Sequence, residues 1–152
     1  TMKFASTIFA SAALAICGIA AAAPTVTHFN VDKKGVVLHG YDPVTYFELA
    51  APEKGNQAIS YTFMGAIWRF TSEENRKTFA KDRDKYMPQY GGYCAKAVSE
   101  NKLADIDPLA YKIVDGKLYL NYDRKIQAIW EKDIPGRIAD ADKNWPALRT
   151  KK

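Results

Sequence analysis

The fold class is indicated most clearly by residues 111–121, which read YKIVDGKLYLN. Apolar side chains alternate with their neighbours on both sides of a central Asp115-Gly116 pair: Tyr111 and Ile113 before it, Leu118 and Leu120 after it. Alternation at every second residue is typical of a half-buried strand, and Asp-Gly is a preferred pair for a two-residue hairpin turn. The stretch therefore predicts an antiparallel β-hairpin.

A second hairpin is predicted upstream. Ile59, Tyr61 and Phe63 occur at alternate positions, and Met64-Gly65 supplies a turn. The apolar residues Ile67, Trp68 and Phe70 return the chain. Residues 44–47 also have the composition of a strand.

Helices are predicted over the remaining segments. Ser72 precedes two glutamates and is typical of an N-cap, which predicts a helix ending near Lys81 with Phe79 facing inward. A short helix is expected at 95–101. A C-terminal helical pair is expected at 123–132 and 134–145, the second stopped by Pro146. The class is therefore α+β, a small domain with two β-hairpins, several short helices and a C-terminal helical pair.

The first 22 residues have the pattern of a cleaved secretory signal peptide. Lys3 gives a positive start, an uncharged apolar run follows, and small residues precede Pro24. We therefore expect a periplasmic or secreted protein with no stable membrane span after cleavage. The predicted organisation is a signal peptide at 1–22, a flexible lead-in at 23–35, a domain at 36–146 and a tail at 147–152.

Composition excludes several function classes. The chain has 152 residues, 47% hydrophobic and 26% charged, as expected of a globular protein and not of a disordered one. Its net charge of +5 comes from Lys and Arg interleaved with acidic residues, so no nucleic-acid partner is predicted. Loss of Cys17 with the signal peptide would leave Cys94 as the single thiol.

The chain resembles the YHS domain, in particular its exported bacterial members, over residues 36–146. The likeness is carried by Gly40-Tyr41-Asp42-Pro43 with the residues up to Phe47, by the segment 61–79, and by Gln89-Tyr90-Gly91-Gly92-Tyr93-Cys94-Ala95. Metal-handling members of that family carry three cysteines, and the resemblance places those positions at Thr45, Thr71 and Asn75. Since none of these side chains suits a soft metal ion, the family's usual metal site is absent.

The remaining candidate chemistry centres on Cys94. A thiolate, the imidazole of His39 and the thioether of Met87 would together suit copper(I), and Tyr41, Asp42 and Tyr93 could form a ligand pocket beside them. The sequence therefore favours a binding module over an enzyme, with a transition metal, copper first, or a small ligand as partner. Two alternatives stay open: a metal-free structural or interaction domain with Cys94 in its core, and a thiol-redox sensor or enzyme that uses Cys94.

Overall fold

The structure is a computed structural model that describes residues 28–151. The predicted signal peptide, the first five residues of the predicted lead-in and Lys152 lie outside the described residues. Over residues 28–151, no helix combines the length and the apolar character needed to cross a membrane.

Both predicted hairpins are present. Strands β1 (Asn56–Phe63) and β2 (Ala66–Phe70) pair antiparallel, and β3 (Asp107–Val114) pairs with β4 (Lys117–Asn121) in the same way. Each turn places two residues in the left-handed region, with φ 50° at Asp115 and 73° at Gly116 in the second hairpin. This is the geometry that Asp-Gly favours, and it sets the register of the pairs next to the turn. Further from the turn each hairpin has a register shift, between Asn56 and Ser60 in the first and between Asp107 and Tyr111 in the second.

The helical segments are short except for the last one. They are α1 (Thr45–Glu48), α2 (Glu73–Lys81), α3 (Arg83–Tyr86), α4 (Ala95–Ser99), α5 (Arg124–Trp130) and α6 (Ile134–Leu148). The N-cap prediction is confirmed, because the Asn75 N–H donates to Ser72 Oγ at 3.1 Å. Helices and hairpins together confirm the α+β class.

The strand prediction for residues 44–47 is wrong. The Val44 N–H donates to Asp42 Oδ1 at 2.9 Å, and the Thr45 side chain donates to the Asp42 carbonyl at 2.7 Å. These two bonds turn the chain directly after Pro43 and start helix α1. The local hydrogen bonds of an Asp-Pro turn therefore override the β-propensity of the next four residues.

Pro146 does not stop the last helix, contrary to the sequence prediction. A proline here removes the hydrogen bond to the carbonyl four residues earlier, but the helix continues to Leu148 and the Arg149 N–H still donates to Trp145 O at 2.9 Å. Leu148 is 1% exposed, so its burial holds the final turn in place. Residues 147–148 accordingly belong to the domain and not to a tail.

The expectation of a flexible lead-in does not hold for residues 28–35. Phe29 is buried in the main core, and the Asn30 N–H donates to the Gly91 carbonyl at 2.9 Å. Gly91 has φ +60°, and a Cβ at this position would overlap the His28 carbonyl oxygen. The glycine therefore permits the close approach of the two backbones that fastens this segment to the domain.

Two apolar clusters form the interior. The main cluster lies between the hairpins and α2 and contains Trp68, Phe70, Phe79 and Cys94. The second cluster lies under α4 and α6 and contains Tyr90, Tyr119, Trp130 and Leu148, among others. The loop between α3 and α4 connects the clusters, so the residues of this loop border both.

Candidate functional site

Cys94 lies in the interior at the start of α4. The residue is 1% exposed, its N–H donates to the Ala104 carbonyl at 3.0 Å, and its sulfur lies 3.7 Å from Asn121 Oδ1. A cavity of about 160 Å³, the Cys94 cavity, adjoins it and is also lined by Lys96, Ala97, Glu100, Ala104, Tyr122 and Ile126. Burial raises the pKa of the Cys94 thiol despite opposing hydrogen bonds from nearby backbone amides. The group is thus held as a neutral thiol at neutral pH.

His39 has different neighbours. Its Nε2 lies 2.8 Å from Asp105 Oδ1, and Asn30 Nδ2 donates to that same oxygen at 2.9 Å. Partial burial acts to raise the pKa of Asp105, but the hydrogen bonds from Asn30 and His39 outweigh it and lower the pKa. The Nε2 atom of His39 is therefore engaged by the Asp105 carboxylate.

Met87 lies in a third environment, on the wall of a larger cleft described below. Within residues 28–151, no group of three or more His, Cys, Asp or Glu side chains is close enough to hold a metal ion. In the described part of the chain, the side-chain hydrogen bonds of Cys94 and His39 go to different residues, Asn121 and Asp105.

Asp42 is the centre of a buried hydrogen-bond network. Its Oδ1 accepts from the Val44 N–H, and its Oδ2 accepts from the Thr71 N–H at 2.8 Å, from Thr71 Oγ1 at 2.9 Å and from Asn75 Nδ2 at 2.8 Å. Thr45 donates to the Asp42 carbonyl. The side chain is fully buried. The resemblance relates Thr45, Thr71 and Asn75 to metal-binding cysteines. Here all three bond to Asp42, Thr71 and Asn75 through its carboxylate and Thr45 through its backbone carbonyl.

The sequence predicts a ligand pocket formed by Tyr41, Asp42 and Tyr93. In the structure, Tyr41 and Tyr93 contact different residues. Tyr41 forms a bridge with Lys54, whereas Tyr93 stacks on His28 with ring centroids 5.2 Å apart and its hydroxyl 2.5 Å from His28 Nε2. Neither tyrosine nor Asp42 lines the Cys94 cavity or the larger cleft. Their contacts stabilise the fold around the family-like motif.

The larger cleft has a volume of about 570 Å³ and is open to solvent. We call it the aromatic cleft. Four parts of the chain form it: the N-terminal segment at Phe29, the tip of the first hairpin, the segment 84–91, and the last two turns of α6 with Arg149. Its lining residues are Phe29, Phe63, Met64, Asp84, Met87, Pro88, Gln89, Tyr90, Gly91, Asp142, Trp145, Pro146 and Arg149. The volume lies within the range of about 300–1,000 Å³ that is usual for small-molecule sites.

Internal contacts hold the walls of the aromatic cleft. The Tyr90 hydroxyl donates to Asp142 Oδ1 at 2.9 Å, and the Tyr90 and Trp145 rings lie 6.1 Å apart. Burial, with the hydrogen bond to Asp142, raises the pKa of Tyr90, which keeps its hydroxyl protonated as a donor. At the first hairpin, the Arg83 guanidinium lies 4.5 Å from the ring centroid of Phe63, which lines the cleft. The cleft is thus pre-formed by contacts that need no ligand.

Sequence reasoning missed most of this cleft. Of the candidate residues it singled out, Met87 alone lines the cleft in the described part of the chain. The signal available in the sequence was the 12% share of aromatic residues. The two cores bury only some of these aromatic side chains completely. That share has no positional information, because the walls come from segments about 20 to 60 residues apart in the chain.

Searches against family models, curated proteins and solved structures find no match to this chain.

We expect the Cys94 thiol to react with a thiol reagent roughly a hundredfold more slowly in the folded protein than in urea, because it is buried and its pKa is raised. The measurement is the labelling rate of the Cys17→Ser variant at mildly alkaline pH. Its control is an exposed cysteine introduced as Ala128→Cys together with Cys17→Ser and Cys94→Ala. Equal rates for the two folded proteins would contradict a sealed thiol and would favour the thiol-redox alternative.

Proposed function

We propose that this protein is a binding module that takes a small molecule with an apolar body in the aromatic cleft, without a resident metal. The observation that carries the proposal is a pre-formed cleft of about 570 Å³ that brings Phe63, Tyr90 and Trp145 together with polar groups at its rim. Mostly apolar walls with a few polar groups are the usual composition of a ligand site. Export and the likeness to the YHS domain stay predictions from the sequence.

Three further observations support a binding role over catalysis or copper capture. The thiol of Cys94 is protonated and buried, which disfavours nucleophilic chemistry. His39 is engaged by Asp105. The Asp42 carboxylate already accepts four hydrogen bonds, so it has little capacity left to bind a ligand. Of the chemistry-bearing candidates, Met87 lines the aromatic cleft of about 570 Å³, whereas Cys94 borders the smaller cavity of about 160 Å³.

The test is a fragment screen of the full chain by amide and indole NMR chemical shifts. We expect hits to shift residues on both walls of the cleft and the indole N–H of Trp145. Trp145→Ala should weaken their binding by roughly tenfold, because a half-buried indole provides a large part of the apolar contact area.

Tyr122→Ala is the matched control, since Tyr122 is an exposed aromatic that lines the Cys94 cavity and not the aromatic cleft. It should leave fragment affinities unchanged. Hits that map to the Cys94 cavity, or affinities that do not respond to Trp145→Ala, would overturn the proposal.

A further inference from the structure

The charged residues of the aromatic cleft are unlike those of the chain as a whole. The chain carries 22 Lys and Arg against 17 Asp and Glu. Among the described residues that line the cleft, the balance is reversed: Asp84 and Asp142 contribute carboxylates and Arg149 a guanidinium. A guest in this space therefore meets two carboxylates, while Arg83, which lies against Phe63, adds a second guanidinium at the border of the cleft.

Both carboxylates are exposed and come from different helices. Asp84 lies in α3 and Asp142 in α6, and both residues are exposed. Asp142 uses Oδ1 to accept from Tyr90, which fixes the orientation of the carboxylate. The side-chain amide of Gln89, between the walls, adds a carbonyl oxygen that can accept from an N–H donor.

The ring surfaces of the cleft have the same electrostatic preference. The faces of aromatic rings carry partial negative charge and attract cations, tryptophan most strongly. Phe63 already accepts such a contact from Arg83, at 4.5 Å from the ring centroid. The Trp145 ring and the two carboxylates therefore make a surface that is partly apolar and yet favourable to a positive charge.

We infer that the ligand of the aromatic cleft is an organic cation, a primary or substituted ammonium group on an aromatic or aliphatic body. The inference rests on the proposed function, since it specifies the ligand class of the same cleft. The ammonium group lies between Asp84 and Asp142, and the apolar body packs on Trp145. An anion of the same size is repelled by the two carboxylates.

Three matched probes separate charge from shape: benzylamine, which is cationic at neutral pH, neutral benzyl alcohol and anionic benzoate. We expect benzylamine to bind the full chain about tenfold more tightly than benzyl alcohol, with shifts at the cleft, and benzoate not to bind. Added salt should weaken the binding of benzylamine and leave the binding of benzyl alcohol unchanged.

The double variant Asp84→Asn and Asp142→Asn should lower the affinity for benzylamine to that for benzyl alcohol. Asparagine keeps an acceptor oxygen for the Tyr90 hydroxyl, so the wall of the cleft stays intact. Asp140→Asn is the control, because it removes one charge from an exposed position of α6 that does not line the cleft. This control should change the affinity of neither benzylamine nor benzyl alcohol.

The outcomes distinguish the two claims. Equal binding of benzylamine and benzyl alcohol at the cleft overturns the cation inference and leaves the proposed function standing. Binding of benzoate at the cleft that is stronger than that of benzylamine also overturns the cation inference and leaves the proposed function standing. If none of the three probes shifts residues of the cleft at millimolar concentration, the inference and the proposed function both fail.

Discussion

Asp42→Asn is expected to lower the free energy of unfolding by about 3–5 kcal/mol. The substitution keeps one acceptor oxygen for the Val44 N–H but replaces Oδ2 by an amide donor. That donor would face the Thr71 N–H, Thr71 Oγ1 and Asn75 Nδ2, which now donate to Oδ2 within a fully buried site. Donors left without an acceptor in the interior cost the full price of their desolvation.

Urea unfolding followed by circular dichroism measures this effect. Asp115→Asn is the matched control, because Asp115 is exposed in a hairpin turn at φ 50°, a conformation that asparagine tolerates. We expect the control to stay within about 0.5 kcal/mol of the parent protein. A loss below about 1 kcal/mol for Asp42→Asn would mean that the network contributes little to stability.

Phe79→Ala is expected to cost about 3–5 kcal/mol as well, through a cavity in the main core. Phe79 is 0% exposed, and its ring lies 4.8 Å from the Trp68 ring centroid and 5.3 Å from that of Phe70. Because it attaches α2 to the first hairpin, the neighbouring rings cannot close the space without moving a strand.

The same unfolding experiment checks this prediction, with Ile129→Ala as control. Ile129 is 40% exposed on α5, so a comparable deletion of apolar atoms should cost much less there. Similar losses for the two variants would show that burial of Phe79 is not what joins α2 to the hairpin.

Local patterns were sufficient where one short segment decides the structure. The hairpin at 111–121, the turn at Met64-Gly65 and the cap of Ser72 on α2 were predicted correctly, because turn geometry and capping involve residues at most a few positions apart. The inward position of Phe79 followed from the same helix pattern.

Prediction failed where distant contacts or competing local bonds decide. Helix α1 begins at Thr45 because hydrogen bonds from Val44 and Thr45 to Asp42 turn the chain just before it, and Leu148 extends α6 past Pro146 because it reaches the second core. The candidate site suffered most. Cys94, His39 and Met87 were grouped by chemistry alone, and their spatial relation depends on packing that no spacing rule encodes.

The sequence alone therefore determined the α+β class, both hairpins and the capped helix α2. The tertiary structure decided that Asp42 is a satisfied structural carboxylate, that Cys94 is sealed, and that Phe63, Asp84 and Trp145 share a cleft. The physical reason is range: turns and caps are set by bonds within a few residues, whereas a cleft exists only after segments far apart in the chain have packed against one another.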